Sequence, residues 1–138
     1  MSSEQERIER LAALFGAHGA RGVRLGVGDD AAVLEPERAR LVWTVDAAVE
    51  NVHFRRAHLR LDEVGYRSMM AAASDLAAMG AVPLAALSAL VLPPSFSDAE
   101  LDALAAGQKI AASELGMSVV GGNLSRGSEL SITTTVLG

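Results

Sequence analysis

Carboxylates and one amide recur at the borders of apolar segments in a pattern that suits a hard-cation and phosphate site. The stretch LGVGDDAAVLEP, residues 25–36, sets Asp29 and Asp30 side by side against a small apolar run. Asp46 lies near the end of the apolar run LVWTVDAAV, Asp75 lies inside an Ala- and Met-rich segment, and Asn123 follows Gly121 and Gly122. Burying an unpaired carboxylate costs roughly several kcal/mol, so an acid in such a setting calls for a cation or strong donors. Acids converging from distant parts of the chain would suit Mg²⁺, which binds few carboxylates directly, keeps waters, and takes further oxygens from substrate phosphates. The glycines at 26 and 28, and at 121 and 122, would let backbone N–H groups approach those phosphates.

Each feature alone has a plainer reading. Asp after Gly, and the Gly-Gly-Asn run, are ordinary turn chemistry. Asp46 also suits a satisfied strand-end acid. His18, His53 and His58 read by default as surface histidines, and Met69, Met70 and Met79 as core filler.

The elements that must position these residues follow from periodicity and punctuation. SSEQERIERLAALFGAHG reads as a helix capped by Ser2 or Ser3, with Ile8, Leu11, Leu14 and Phe15 on one face and Gly19 near its end. AAVL and LVWTVDAAV read as strands separated by a charged turn around Pro36. A second helix runs from a cap at Asp62 to Gly80, and LAALSALVL reads as a strand covered on both faces. Ser97 and Glu100 have capping-box spacing at the start of a third helix that stops at Gly116. MSVV and ELSITTTVLG close the pattern as strands flanking a polar loop, GGNLSRGS. This alternation calls for an α/β sandwich with helices against a sheet.

Bulk composition narrows the function classes. The 138 residues, 50% of them hydrophobic, suffice for one domain with a real core. Twelve Lys and Arg against 17 Asp and Glu, scattered rather than clustered, argue against a nucleic-acid backbone binder. Cysteine is absent, which excludes disulfides and thiolate metal sites. No apolar segment approaches the roughly 20 residues of a membrane span, and MSSEQERIER is a charged helix opening rather than a signal peptide. The expectation is a soluble, cytoplasmic protein.

GVGDDAAVL, TVDAAVENVHF, SDLAAMGAVP and GGNLSRG with LSITTTVLG occur in the order and near the spacing of the N-terminal half of thiamine-monophosphate kinases. The chain resembles that family over nearly its whole length. VENVHF and SDLAAMGA are specific to the kinase branch, and GDDAA alone marks only the superfamily shared with aminoimidazole ribonucleotide synthetase and selenophosphate synthetase. The resemblance implies an α/β (α+β) fold, with helices packed on a mixed sheet that pairs with a second subunit as in the N-terminal domain of the synthetase. It implies transfer of the γ-phosphoryl group of ATP to thiamine monophosphate, giving thiamine diphosphate, by a homodimer using Mg²⁺. Carried onto matching positions, Asp30, Asp46 and Asp75 would hold Mg²⁺, Thr44 would add an oxygen, and Asp29 would shape the loop or bind a further ion. Gly121, Gly122 and Asn123 would lie against ATP phosphates, with Asn123 also at a metal position, and His53 would be near the thiamine substrate.

Two positions depart from the family pattern: Asn123 stands where Asp is usual, and Val45 stands where many relatives carry a second hydroxyl residue. The resemblance covers only the N-terminal half of the family's chain. The expectation is therefore that residues 1–138 form a single N-terminal ATP/Mg-binding and dimerisation domain, inactive alone without the family's C-terminal domain. The alternatives are a non-catalytic dimerisation module of the same fold and a superfamily relative acting on another substrate.

Overall fold

The computed structural model describes residues 3–16, 22–27, 33–35 and 41–138. Asp29 and Asp30, with Gly28 and His18, lie outside the described residues. The elements in chain order are α1 (Glu4–Phe15), β1 (Val23–Leu25), β2 (Val33–Leu34), β3 (Trp43–Val49), α2 (Leu61–Ala78), β4 (Ala85–Leu92), α3 (Asp98–Glu114), β5 (Ser118–Arg126) and β6 (Ser131–Leu137). Four strands form one mixed sheet in the order β3-β6-β4-β5, antiparallel except for the β4–β5 pair, and β1 with β2 makes a separate antiparallel ribbon.

Helices α2 and α3 cover one face of the sheet. Phe96, Leu101, Leu104, Leu130 and Ile132 form one buried cluster, and Met69, Leu76, Ala111, Val119 and Val136 a second beside it. The α2–α3 contact is backbone to backbone. A Cβ on Gly65 would stand 2.0 Å from the Leu104 carbonyl oxygen, and one on Gly107 would stand 1.9 Å from that of Asp62. The other face is only partly covered. Val23, Ala85 and Val120 bury one corner beneath the small ribbon, but Trp43 and Val45 remain 72% and 61% exposed and Leu87 39% exposed. LAALSALVL is thus sealed along its helix side but on the other face only at the Ala85 corner, and its predicted burial on both faces does not hold along its length within one chain.

Local chemistry accounts for the helix starts. Ser3 and Ser97 each accept the N3 backbone N–H while Glu6 and Glu100 reach back to the cap backbone. The Ser97 backbone N–H, the larger cause, and its hydroxyl donate to the Glu100 carboxylate and hold its pKa below the usual glutamate value. Because the folded state favours the ionised form, this stabilisation is full above the ordinary value of about 4.3 and is lost as pH falls through the lower folded value. Ser97→Ala is expected to cost about 1 kcal/mol at neutral pH. Urea melts of both proteins check this, the gap between them narrowing toward acid.

Other local expectations are corrected. α1 ends at Gly16, whose φ of +51° gives a left-handed cap, and not at Gly19. α2 is capped at Arg60 rather than Asp62, because the Glu63 carboxylate accepts the Arg60 N–H at 2.8 Å and Asp62 instead bonds the Arg60 guanidinium. Met69 is fully buried as expected, but Met79, at the α2 C-terminus, is 71% exposed. The largest change is at GGNLSR, expected as a loop, which continues β5 to Arg126. The free edge of β4 runs on to Leu92 and pairs with residues up to Arg126, and a register shift after Ala86 admits the glycines.

Candidate functional site

β3 is an edge strand, and its alternation sends Thr44, Asp46 and Ala48 toward the helices. Their partners on β6 are Val136, Thr134 and Ile132, all buried beneath α2 and α3. On α2, Val64, Arg67, Ser68, Ala71 and Asp75 recur at helical spacing along one stripe. The Thr44 hydroxyl donates to Asp75 Oδ2 at 2.7 Å, tying strand to helix. One strand period along, Asp46 Oδ1 accepts the adjacent Ala47 N–H at 2.8 Å, its one hydrogen bond among the described residues. Neither carboxylate is paired with a base among the described residues.

Beyond Asp46 the groove opens into a cavity of about 150 Å³ whose walls include Asp46, His53, Phe54, Leu59, Arg67 and Ser68. The segment carrying His53 turns back on itself at Asn51, which holds a φ of +63° that asparagine tolerates better than most residues. His53 Nδ1 accepts the Val49 N–H at 3.0 Å. In the neutral ring this fixes the proton on Nε2, which is then a donor. Arg56 anchors the same segment, bonding Glu50 Oε1 at 2.7 Å, approaching Glu100 at 3.5 Å, and lying 5.9 Å over the Phe96 ring. Its pair with Glu50 raises the Arg56 pKa, so the anchor stays charged.

The structure brings Thr44 and Asp75 into contact and sets Asp46 and His53 around one cavity, but it does not bring the β5 residues to them. Gly121, Gly122 and Asn123 occupy the opposite edge of the sheet, with β6 and β4 between. Three strand spacings are about 14 Å. Asp46, Thr134, Ser88 and Gly122 lie in one row on the helix side, whereas Ala47, Thr133, Ala89 and Asn123 form the next row, on the open side. Asn123 therefore cannot join Asp46 and Asp75 around one ion within a single chain. The glycine at 122 also has a structural reason, since a Cβ there would stand 1.8 Å from the Ser88 carbonyl oxygen.

Two carboxylates and a hydroxyl on the β3 and α2 walls are all hard oxygen donors, and Mg²⁺ commonly uses one or two carboxylates with waters and substrate phosphates. They fit such an ion. Among the described residues no three acids or histidines stand close enough to form a complete protein cage.

Sequence reasoning missed Arg67 and Ser68. Arg67 lies two helical turns before Asp75, at a spacing of eight, and that stripe was the available signal.

The chain matches the family AIR synthase related protein, N-terminal domain, over residues 28–138. It is 33% identical over 118 residues to the thiamine-monophosphate kinase of Bacillus subtilis, covering 84% of this chain and 36% of that protein. The crystal structure of thiamine-monophosphate kinase from Stenotrophomonas maltophilia K279a superposes with a TM-score of 0.81 at 34% identity, over 99% of this chain and 42% of that one. A solved AaThiL complexed with AMPPCP and TMP superposes at 0.71 with 28% identity, over 98% of this chain and 41% of that one. The chain thus spans well under half the length of these relatives.

Proposed function

For a chain that belongs to the family of AIR synthase related proteins, N-terminal domain, we propose the role of the nucleotide- and Mg²⁺-binding domain of a cytoplasmic thiamine-monophosphate kinase. The reaction is phosphoryl transfer from ATP to thiamine monophosphate. An oxygen of the acceptor's phosphate forms a bond to the γ-phosphorus, the bond from that phosphorus to the β,γ-bridging oxygen breaks, and ADP leaves with the electron pair. The observation that carries the reading is the groove between β3 and α2, with the Thr44–Asp75 contact at one end, Asp46 midway, and the His53 cavity beyond. It supports a division of labour in which the acids gather the nucleotide's phosphates and the cavity holds the acceptor.

Phosphoryl transfer asks little covalent work of a protein; it needs charge neutralised and the acceptor held in line. Asp46, Asp75 and Thr44 would hold Mg²⁺, and Asp29 and Asp30 are proposed as further ligands. When bound, the ion supplies neutralisation of the phosphate charge. His53, with its Nε2 donor fixed by the Val49 hydrogen bond, and the Phe54 wall would orient the acceptor. Gly121, Gly122 and Asn123 are proposed to meet ATP phosphates, and Asn123 offers a neutral amide oxygen as a metal ligand where the family usually has Asp.

A homodimer belongs to the same proposal. Trp43, Val45 and Leu87 lie on the sheet face that no helix covers, and a second copy is the covering that explains them. Val45→Asp is expected to give a monomer in sedimentation, because association would bury two unpaired carboxylates. A non-catalytic dimerisation module is the second reading, favoured by the distance of Asn123 from the acids. Assay of the full-length protein for thiamine diphosphate formed from ATP and thiamine monophosphate separates the two. Turnover supports the kinase, and a dimer without turnover or nucleotide binding supports the module.

A further inference from the structure

Arg67 lines a groove that contains carboxylates, yet among the described residues its guanidinium forms no ion pair. Arg7, Arg10, Arg24, Arg56 and Arg60 each form a salt bridge with an acid. Arg67 forms none among the described residues, although it and Asp46 are walls of the same cavity. Glu63, the acid one turn before it, is engaged instead by the Arg60 N–H. Ser68 beside it is also committed, donating to the Gly65 carbonyl oxygen at 2.8 Å. A carboxylate and a guanidinium that share a cavity of about 150 Å³ without closing on each other leave room for a group that meets both.

The remaining walls narrow that group's chemistry. His53 offers Nε2–H as a second donor, because Nδ1 is occupied by the Val49 N–H. Phe54 and Leu59 provide an apolar surface. Two donors, one of them a planar fork suited to two oxygens of one anion, facing an acid that can share a cation with it, fit a phosphate monoester on an organic body. A neutral alcohol would leave the guanidinium without its anion.

We propose that Arg67 is the specificity-determining residue of the acceptor subsite, gripping the phosphate monoester of the acceptor and so selecting the phosphorylated substrate over its alcohol. The inference rests on the kinase reading and deepens it by assigning to one residue the discrimination between phosphorylated and unphosphorylated acceptor. Arg67 touches substrate in this account but takes no proton and makes no bond.

Calorimetric titration of the full-length protein tests it, with thiamine monophosphate, thiamine and Mg-ATP as separate probes, on wild type, Arg67→Ala and Arg67→Lys. Arg67→Ala is expected to weaken thiamine monophosphate binding at least about tenfold while leaving thiamine and Mg-ATP unchanged, because one charge-assisted contact is worth that much. Arg67→Lys is expected to fall between, since it keeps the charge and loses the fork. Arg67 is exposed on α2, so both variants should fold, and the Lys variant carries the test if the Ala variant does not. Equal loss for thiamine and its monophosphate would mean a structural role and overturn the inference. Loss confined to Mg-ATP would assign the guanidinium to the nucleotide and overturn it too, as would unchanged binding throughout. Wild type that binds Mg-ATP but no thiamine monophosphate would overturn the substrate reading itself, a result distinct from failure of Arg67 alone.

Discussion

Asp75→Asn will abolish Mg²⁺-dependent nucleotide binding and lower phosphoryl transfer by about two to three orders of magnitude, while leaving the fold intact. The substitution keeps the side chain's shape and an oxygen that can still accept the Thr44 hydroxyl, which now bonds Asp75 Oδ2 at 2.7 Å. Asp75 is exposed and carries no ion pair among the described residues, so its charge contributes little to stability. What the variant loses is the negative charge that would hold the cation, and a preorganised charge-stabilising group is worth about 10²–10³ in rate. Thermal unfolding gives the first readout. A ligand at 100 times its dissociation constant stabilises the native state by about 2.7 kcal/mol, so wild type should melt several degrees higher with Mg-ATP and Asp75→Asn should not. Equal protection of the two proteins would remove Asp75 from the metal site, and the kinase reading would lose its main support in the groove.

Gly107→Ala will destabilise the domain by about 2 kcal/mol, against the direction that helix propensity alone predicts. Alanine inside a helix is favoured over glycine by about 1 kcal/mol. Here the added Cβ would stand 1.9 Å from the Asp62 carbonyl oxygen and 2.9 Å from the Tyr66 nitrogen, both backbone atoms of α2 that no rotamer change can move aside. The helices must separate, loosening Leu101 and Leu104 on one side and Met69 on the other, all fully buried. Overpacking of this kind costs about 3 kcal/mol, which outweighs the propensity gain. The urea midpoint should fall with an unchanged slope, and Tm should drop by about 8 °C. A variant as stable as wild type would mean that α2 and α3 are not in backbone contact.

Arg67→Ala and Asp75→Asn act on the two ends of one groove and should separate in their effects. The first is expected to alter the acceptor alone, and the second the nucleotide. Val45→Asp acts on the face of β3 turned away from that groove and should change association without unfolding the monomer, because Val45 is 61% exposed there.

Features that depend on near neighbours were legible in the residues. Ser97 with Glu100 announced the start of α3, and the apolar runs around Val45 and Leu90 announced β3 and β4. The type of chemistry was legible too, since carboxylates and a hydroxyl at the borders of apolar segments are hard oxygen donors. β1 was missed because three residues, VRL, carry no period to read. β5 was cut short because Gly-Gly-Asn has the local chemistry of a turn, and only the free edge of β4 makes it a strand.

The residues announced the caps of α1 and α3, the presence of β3, β4 and β6, and which side chains could serve a cation and phosphates. These are set by backbone preference and side-chain chemistry within a few residues. The packing of the whole chain brings Thr44 to Asp75, sets Asn123 three strands away on the other face, makes Gly65 and Gly107 points of helix contact, and places Arg67 in the wall of the cavity that Asp46 shares. Strand order and facing depend on how the whole chain buries its apolar surface, and a shift of one residue in register would turn every side chain of a strand to the opposite face.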